Sequence, residues 1–229
     1  RIVAASPNYL ETSPVLKRYQ DKTVVIPYGL DRSGYPVPGE ACVARWEQRF
    51  GRRFFLFVGV LRYYKGLHIL LEAAQGTNYP VVIVGSGPLE QELRARAAAL
   101  GLANVHFVGH LGEEDKVALL QLCSVLLFPS HLRSEAFGVS LLEGAMYGKP
   151  MISCEIGTGT SYINAHGETG LVVPPSNPAA FREAMRTLWD NPEQAQEMGR
   201  KASQRYQQLF TSERMGQQMA SLYRELLNG

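Results

Sequence analysis

Two glutamates eight positions apart, Glu135 and Glu143, are the side chains of this sequence best suited to chemistry. They flank Phe137-Gly138-Val139, and Gly138 falls at the start of a predicted helix that carries Glu143. At roughly 1.5 Å per helical residue, the two carboxylates would lie roughly 10–12 Å apart. That separation is too wide for the paired acids of a glycosidase, and it suits an elongated ligand held at both ends. The free amides of Phe137, Gly138 and Val139 would point at an anion between the two acids.

Two cations occupy another turn of the chain. Arg62 and Lys65 follow the apolar run 54–58, and a helix is predicted to begin near Gly66. Gly59, directly after the run, lets another group approach the backbone closely. Two cations between a strand and a helix, aided by the amino terminus of that helix, predict an anion site. Two solvated cations on an ordinary loop remain the alternative that the spacing alone leaves open.

Two further turns carry weaker signals. The segment 85–88, Gly-Ser-Gly-Pro, resembles a short phosphate loop, but it lacks the glycine pattern of dinucleotide-binding proteins and the Gly-Lys-Ser/Thr of phosphate-binding ATPases. A tight strand-to-helix turn is the other interpretation. The acids 113–115 are interpreted as the first turn of a helix, where they favour the positive end of the dipole. The sequence contains no Asp-x-Asp and no Cys-x-x-Cys pair, so we predict no metal site.

Short apolar runs alternate with segments of helical spacing, and they position these turns. The runs lack two-residue alternation and are rich in branched and aromatic side chains, which is typical of strands buried on both faces of a parallel sheet. Units of about 25 residues predict right-handed crossovers and an α/β fold with a doubly wound parallel sheet. Such sheets bind ligands at the carboxyl ends of their strands. The four runs span residues 54–58, 81–84, 105–108 and 125–128.

The end of the chain has a different pattern. Strand-like runs stop after Pro174-Pro175, and Asn177-Pro178 supplies a cap and a first-turn proline for an amphipathic helix. A last helix is indicated by apolar residues from Met215 to Leu226 at helical spacing. We therefore predict one domain over residues 1–229 with a helical tail over about 178–229.

Composition excludes several classes of protein. The chain has 229 residues, 45% of them hydrophobic and 19% charged, with a net charge of +2, which argues against a disordered chain and against a nucleic-acid-binding protein. No apolar run reaches the roughly 18 residues of a membrane-spanning helix. Three cysteines, an odd number, suit a reducing compartment. Because the chain begins with Arg1 in an apolar stretch, we expect it to be a fragment of a longer protein.

Five segments in the same order resemble the donor-site motifs of retaining family 4 glycosyltransferases. These enzymes have the GT-B fold, in which two Rossmann-like domains face each other across a cleft. The resemblance covers nearly the whole chain and implies that residues 1–229 are the carboxyl-terminal, nucleotide-sugar donor-binding domain, with the amino-terminal acceptor domain absent. The segments are Glu-x7-Glu at 135–143, Ala-Met-Tyr-Gly-Lys-Pro at 145–150, Val-Ile-Pro-Tyr-Gly-Leu-Asp at 25–31, Gly59 through Gly66, and Gly-Glu-Thr-Gly-Leu-Val at 167–172.

The resemblance also implies roles for individual residues. The diphosphate-binding segment departs from the family pattern at one position. In the family an arginine usually follows directly after the glycine that corresponds to Gly59, but this chain has Val60 there, and Arg62 comes two positions later. The implied catalytic residues are Glu135, which holds donor-sugar hydroxyls, with Lys65 and Arg62, which hold the diphosphate. The implied substrate-binding residues are Phe137, Gly138 and Val139 through their amides, Glu143 at the ribose, and His110 and Leu111 bordering the base.

The segment 154–164 resembles bacterial mannosyl- and rhamnosyltransferases of surface polysaccharide assembly, although a Gly/Thr-rich loop between two strands is the plainer interpretation. This resemblance implies retaining, metal-independent transfer of mannose or a related hexose from a GDP-linked donor to a saccharide or lipid-linked acceptor, as in lipopolysaccharide biosynthesis, with no cofactor. It implies a cytoplasmic protein, or one held peripherally at the inner face of the plasma membrane, and an isolated fragment without activity. A GT-B-like nucleotide-sugar epimerase and a non-catalytic nucleotide-sugar-binding module are the alternatives.

Overall fold

A computed structural model of the chain describes residues 1–228. The strands are β1 (Ile2–Ala4), β2 (Thr23–Val25), β3 (Phe55–Val58), β4 (Val81–Val84), β5 (Val105–Gly109), β6 (Val125–Phe128), β7 (Met151–Cys154) and β8 (Gly170–Val173). The centre of the fold is a six-stranded sheet in the order β5-β4-β3-β6-β7-β8, with every neighbouring pair parallel. The α/β doubly wound sheet predicted from the sequence is confirmed, and the four predicted strands agree with it to within one residue.

Helices cover both faces of this sheet. They are α1 (Pro7–Thr12), α2 (Pro14–Lys17), α3 (Glu40–Phe50), α4 (Leu67–Ala74), α5 (Glu90–Ala99), α6 (Glu113–Leu122), α7 (Val139–Met146), α8 (Thr160–Ile163), α9 (Pro178–Asp190), α10 (Pro192–Leu209) and α11 (Ser212–Asn228). Along β3, Phe55 and Phe57 pack toward α4, α5 and α9, whereas Leu56 packs toward α3, α6 and α7. All three side chains are fully buried, which explains why the run is apolar without alternation.

The turns after β3 and β4 touch each other at the carboxyl edge of the sheet. Gly85 has a φ of +132°, and a Cβ at this position would lie 1.9 Å from the carbonyl oxygen of Gly59. Only glycine fits such a contact between two backbones. The glycines of segment 85–88 are therefore required by the packing of the turn, as the tight-turn interpretation proposed.

The helical tail contains three helices, of which the sequence analysis predicted two. Asn177 caps α9 through its side chain, as predicted, but α10 was not predicted. Three of its five buried residues, Ala195, Gly199 and Ala202, have little or no side chain, and the other two are Met198 and Tyr206. A Cβ on Gly199 would lie 2.2 Å from the carbonyl oxygen of Gly148. Because small residues make up much of the buried face of α10, the sequence shows no continuous stripe of large apolar side chains there.

The amino-terminal strands lie outside the main sheet. β1 and β2 pair in parallel with each other, Ile2 opposite Thr23, and form a separate two-stranded sheet. This small sheet is joined to the main body through α1, where the Thr12 hydroxyl donates to the Gly157 carbonyl at 2.5 Å and accepts from Arg133. The sequence analysis did not predict this separation. Within residues 1–228 no helix is both long and apolar enough to cross a membrane.

Candidate functional site

Lys65 and Glu135 meet at the carboxyl edge of the sheet. Lys65 ends a short 3-10 turn after β3, and Glu135 lies in the loop after β6; the ammonium is 2.5 Å from the carboxylate, and each side chain is 11% exposed. Ser130 donates a second hydrogen bond to the same carboxylate oxygen at 3.1 Å. The Lys65 ammonium also lies 5.0 Å from the centre of the Phe128 ring. The two groups that the sequence placed in different turns therefore form one buried ion pair.

Glu143 has a lysine partner of its own. Its carboxylate is buried on α7 and accepts hydrogen bonds from Lys116 at 2.7 Å and from the Tyr35 hydroxyl at 3.0 Å. Lys116 also donates to Glu113 at 2.9 Å. Burial alone would lower the pKa of Lys116, but the hydrogen bonds to Glu113 and Glu143 outweigh burial and raise it. Burial, followed by the charge of Glu143, raises the pKa of Tyr35.

The amino terminus of α7 lies between the two acids along the chain. Gly138 precedes the helix at a φ of +101°, a conformation that favours glycine. Among the described residues, the amides of Phe137, Gly138 and Val139 donate to no other group. Phe137 and Gly138 are buried, whereas the Val139 side chain is exposed. These amides are free to donate, and the helix dipole favours negative charge there.

His110 and Leu111 border a cavity of about 240 Å³ at the ends of β3, β4 and β5. Glu113 and Lys116 line the same cavity, so it adjoins the Glu143 pair. His110 is exposed and Leu111 is half-buried. This cavity is where the sequence analysis expected a base to bind.

Arg62 takes part in neither of the two lysine–glutamate ion pairs. It is exposed, and within residues 1–228 its guanidinium makes no hydrogen bond or ion pair. It precedes the turn that carries Lys65, so it stands at the rim of the same edge.

No group of three or more His, Cys, Asp or Glu side chains in the described part of the chain is arranged to hold a metal ion.

The sequence analysis missed three residues of this site: Lys116, Tyr35 and Ser130. Lys116 lies one helical turn after Glu113, so its pairing with that acid could have been predicted. Tyr35 lies in the Pro/Gly-rich stretch 31–38, and nothing local indicates its contact with a residue on α7. Ser130 directly follows Pro129, and only the path of the loop brings its hydroxyl to Glu135.

A cavity of about 460 Å³ lies at the opposite edge of the sheet, among Arg53, Lys149 and Trp189. Its cations already have partners: Lys149 donates to the carbonyls of Gln121 and Cys123 at 2.8 Å each, and Arg53 donates to the Trp189 carbonyl. None of the predicted site residues lines it. The candidate site is therefore the carboxyl edge, where parallel sheets bind ligands.

Comparison with known proteins identifies a family. Residues 44–205 match the Glycosyl transferases group 1 family. The D-rhamnosyltransferase WbpZ of Pseudomonas aeruginosa is 72% identical over 212 residues, which are 93% of this chain and 56% of that protein. The O-antigen chain mannosyltransferase C of Escherichia coli is 53% identical over 226 residues, which are 99% of this chain and 61% of that protein. The chain thus spans 56–61% of the length of these relatives.

Solved structures share the fold. HepE from Anabaena, solved with UDP and glucose, superimposes with a TM-score of 0.83 at 22% identity, over 97% of this chain and 62% of the HepE chain. The resemblance that the sequence motifs indicated is confirmed, and so is the Rossmann-like architecture. The chain belongs to the Glycosyl transferases group 1 family, and its sheet is the Rossmann-like half of a GT-B fold.

Proposed function

We propose that this chain is the donor-binding part of a retaining, metal-independent glycosyltransferase of surface polysaccharide biosynthesis. The enzyme transfers mannose or a related hexose from a GDP-linked donor to a saccharide or lipid-linked acceptor. The observation that carries the proposal is the pair of buried lysine–glutamate contacts at one edge of the sheet, Lys65 with Glu135 and Lys116 with Glu143. The free amides at the start of α7 lie between the two acids along the chain.

The roles follow from the chemistry of each group. A lysine ammonium has three donors, so Lys65 can keep its bond to Glu135 and still donate to a diphosphate. Glu135 accepts from hydroxyls of the donor sugar, and Glu143 accepts from those of the ribose. Arg62, at the rim, reaches the diphosphate from solvent. The amides of residues 137–139 bind the sugar and the distal phosphate.

In the transfer step the bond between the anomeric carbon and the leaving phosphate oxygen breaks, and a bond to the acceptor oxygen forms on the same face of the sugar. The leaving diphosphate takes the acceptor proton. Negative charge grows on the phosphate oxygen, and Lys65, Arg62 and the start of α7 stabilise it electrostatically. Each such group is typically worth about 100-fold or more in rate. In this scheme the positive groups take the place of a divalent cation.

The two relatives support the sugar class. One is named a D-rhamnosyltransferase and the other a mannosyltransferase of O-antigen chains. D-Rhamnose is mannose without its 6-hydroxyl group, so both names indicate sugars with the same ring configuration. We therefore propose a mannose-configured donor and place the reaction in the assembly of a surface polysaccharide.

The cavity beside His110 and Leu111 supports a guanine base. Glu113 lines it, and guanine presents two adjacent N–H donors, on N1 and N2, that one carboxylate can accept together. Uracil presents a single N–H between two carbonyl oxygens, which a carboxylate repels. Lys116 holds Glu113 and Glu143 through one ammonium, and so would couple the groups at the base and at the ribose.

The test uses the full-length enzyme. Transfer is measured from GDP-mannose, GDP-rhamnose and UDP-glucose to a lipid-linked saccharide, with and without a chelator, and NMR assigns the anomeric configuration of the product. We expect a GDP-linked donor to react with retention and the chelator to have no effect. Inversion or dependence on a divalent cation contradicts the mechanism. Binding of a donor without transfer identifies a non-catalytic module, and a changed sugar ring without transfer identifies an epimerase.

The base assignment has its own matched pair of variants. Glu113→Gln should weaken GDP binding by about 10-fold to 100-fold, the worth of charge-assisted hydrogen bonds, and should leave UDP binding unchanged. Glu114→Gln is the control, because Glu114 accepts from the Gly39 amide at 3.0 Å and does not line the cavity. Equal GDP affinity for the two variants, measured by calorimetry, would show that Glu113 does not contact the base.

A further inference from the structure

His131 follows Ser130 in the loop after β6, and both of its ring nitrogens have partners. The residue is 8% exposed; its Nε2 lies 3.1 Å from the carbonyl oxygen of Tyr63, and its Nδ1 lies 3.1 Å from the hydroxyl of Ser176. Because a carbonyl oxygen only accepts, Nε2 carries the hydrogen. In the neutral ring Nδ1 then accepts from Ser176. One imidazole thus joins the loop after β6 to two other loops.

The carbonyl that His131 holds belongs to the turn that carries Lys65. The Gly66 amide closes this turn by donating to the same Tyr63 carbonyl at 3.0 Å. The backbone amide of His131 donates to the next carbonyl, that of Tyr64, also at 3.0 Å. His131 therefore binds two successive carbonyls directly before Lys65.

The turn is pressed against the same loop on its other side. A Cβ on Gly66 would lie 2.0 Å from the carbonyl oxygen of Pro129, and Gly66 has a φ of +69°. The His131 ring also stands edge-on to the rings of Tyr63 and His68, at 5.0 Å from each, and these two rings stack on each other. Backbone contact, ring packing and hydrogen bonds all seat the turn on residues 129–131.

Ser176, which contacts Nδ1 of the imidazole, has an uncommon backbone conformation. Its φ is +55°, and it is the one residue other than glycine with a positive φ within residues 1–228. Such a conformation costs roughly 1–3 kcal/mol and persists only where the surrounding structure fixes it. The hydroxyl of Ser176 reaches His131 from this position, so the loop between β8 and α9 supports the ring.

We propose that His131 is a positioning residue for Lys65. Lys65 and Glu135 come from different loops. The position of the Lys65 ammonium relative to the Glu135 carboxylate therefore depends on how the turn 63–66 packs against the loop after β6. His131 fixes that seat through the Tyr63 carbonyl and thereby holds the ammonium where the donor diphosphate binds. A misplacement of about 1 Å in a reacting group can cost about 100-fold in rate. The inference rests on the donor site of the proposed function.

A double-mutant cycle in the full-length enzyme tests this role, with kcat and KM measured against the GDP-linked donor. His131→Phe keeps a ring of similar size but removes both hydrogen bonds, and we expect kcat/KM for the donor to fall about 5-fold to 10-fold while KM for the acceptor stays unchanged. His131→Gln, whose amide places a donor near the position of Nε2, should recover activity to within about twofold of wild type. In a Lys65→Met background, His131→Phe should cause no further loss, because its effect passes through Lys65.

Ser176→Ala supplies a second variant at an exposed position, so it tests the proposal even where a ring substitution fails to fold. It removes the partner of Nδ1, and we expect kcat/KM for the donor to fall about twofold to threefold. This fall should also disappear in the Lys65→Met background. If these variants lower kcat/KM for the donor by the same factor with Lys65 present and absent, the proposal is overturned. It is also overturned if His131→Phe leaves kcat/KM for the donor unchanged. Wild-type enzyme that transfers from no nucleotide sugar refutes the proposed function, and the role of His131 falls with it; additive losses in an active enzyme refute the role of His131 alone.

Discussion

Replacing Lys116 by Met leaves the Glu143 carboxylate buried without a cation. Glu143 is 6% exposed, the ammonium lies 2.7 Å away, and the Lys116 side chain is 15% exposed. Removing one partner of a buried ion pair costs about 3–5 kcal/mol. We take the lower end, about 3 kcal/mol, because Glu143 keeps the hydrogen bond from Tyr35. For a chain of this size the loss corresponds to a fall in Tm of about 6–12 °C.

Urea unfolding and thermal melting of the chain measure this loss. The control is Lys201→Met, because Lys201 lies 3.9 Å from Glu197 and both side chains are about half exposed; we expect its change to stay below about 0.5 kcal/mol. Adding Glu143→Gln to Lys116→Met removes the uncompensated charge and should recover at least half of the loss. If the free energy of unfolding of Lys116→Met lies within about 1 kcal/mol of the wild-type value, the reasoning that charge burial controls stability here is refuted. It is also refuted if the double variant recovers no stability.

Two predictions concern groups outside the site. The indole of Trp46, at 2.7 Å, holds the pKa of Asp115 below its ordinary value. Since the folded-state pKa is the lower one, ionised Asp115 stabilises the fold at neutral pH, and this stabilisation is lost as the pH falls from about 4, the ordinary pKa, through the lowered pKa of the folded chain. Asp115→Asn should therefore lower the Tm at pH 7 by about 2–4 °C, and the difference from wild type should shrink toward about pH 3. Burial raises the pKa of Cys123 to about 11 and that of Cys154 to about 12. A disulfide reagent at about pH 8 should titrate at most Cys42 in the folded chain and all three thiols in urea; more than one reactive thiol in the folded chain contradicts this burial.

Much of the sheet could be predicted because the burial of each strand residue determines its type, so a short stretch of sequence is enough to identify a strand. Phe55, Leu56 and Phe57 are each buried on one face or the other, so the run is apolar throughout, and the position of the strand follows. The strand ends then indicate which turns share an edge. This inference brought Lys65, Glu135 and Glu143 to the same side of the molecule from three separate segments.

The partners of those residues could not be predicted in the same way. Whether a lysine pairs with an acid depends on side-chain reach across elements, and sequence spacing gives that only within one helix. Lys116 bonds to Glu113 on its own helix and to Glu143 on another, and only the first contact has a local signal. Tyr35 reaches Glu143 from 108 positions away. The position of Glu135 and Glu143 after β6 predicted the edge of the sheet at which these acids lie, whereas the folded chain determines how each is held.

The lysine partners explain how a site with two buried acids can fold before any ligand binds. An ionised carboxylate without a partner is strongly disfavoured in a protein interior, so Glu135 and Glu143 need cations in the folded chain. Each ammonium has three donors: Lys65 uses one on Glu135, and Lys116 uses one on Glu143 and one on Glu113. Both lysines therefore neutralise an acid and retain a donor for a ligand. Under the proposed function, the same ion pairs that allow the acids to be buried would meet the diphosphate and the ribose, so binding would add hydrogen bonds without breaking either pair.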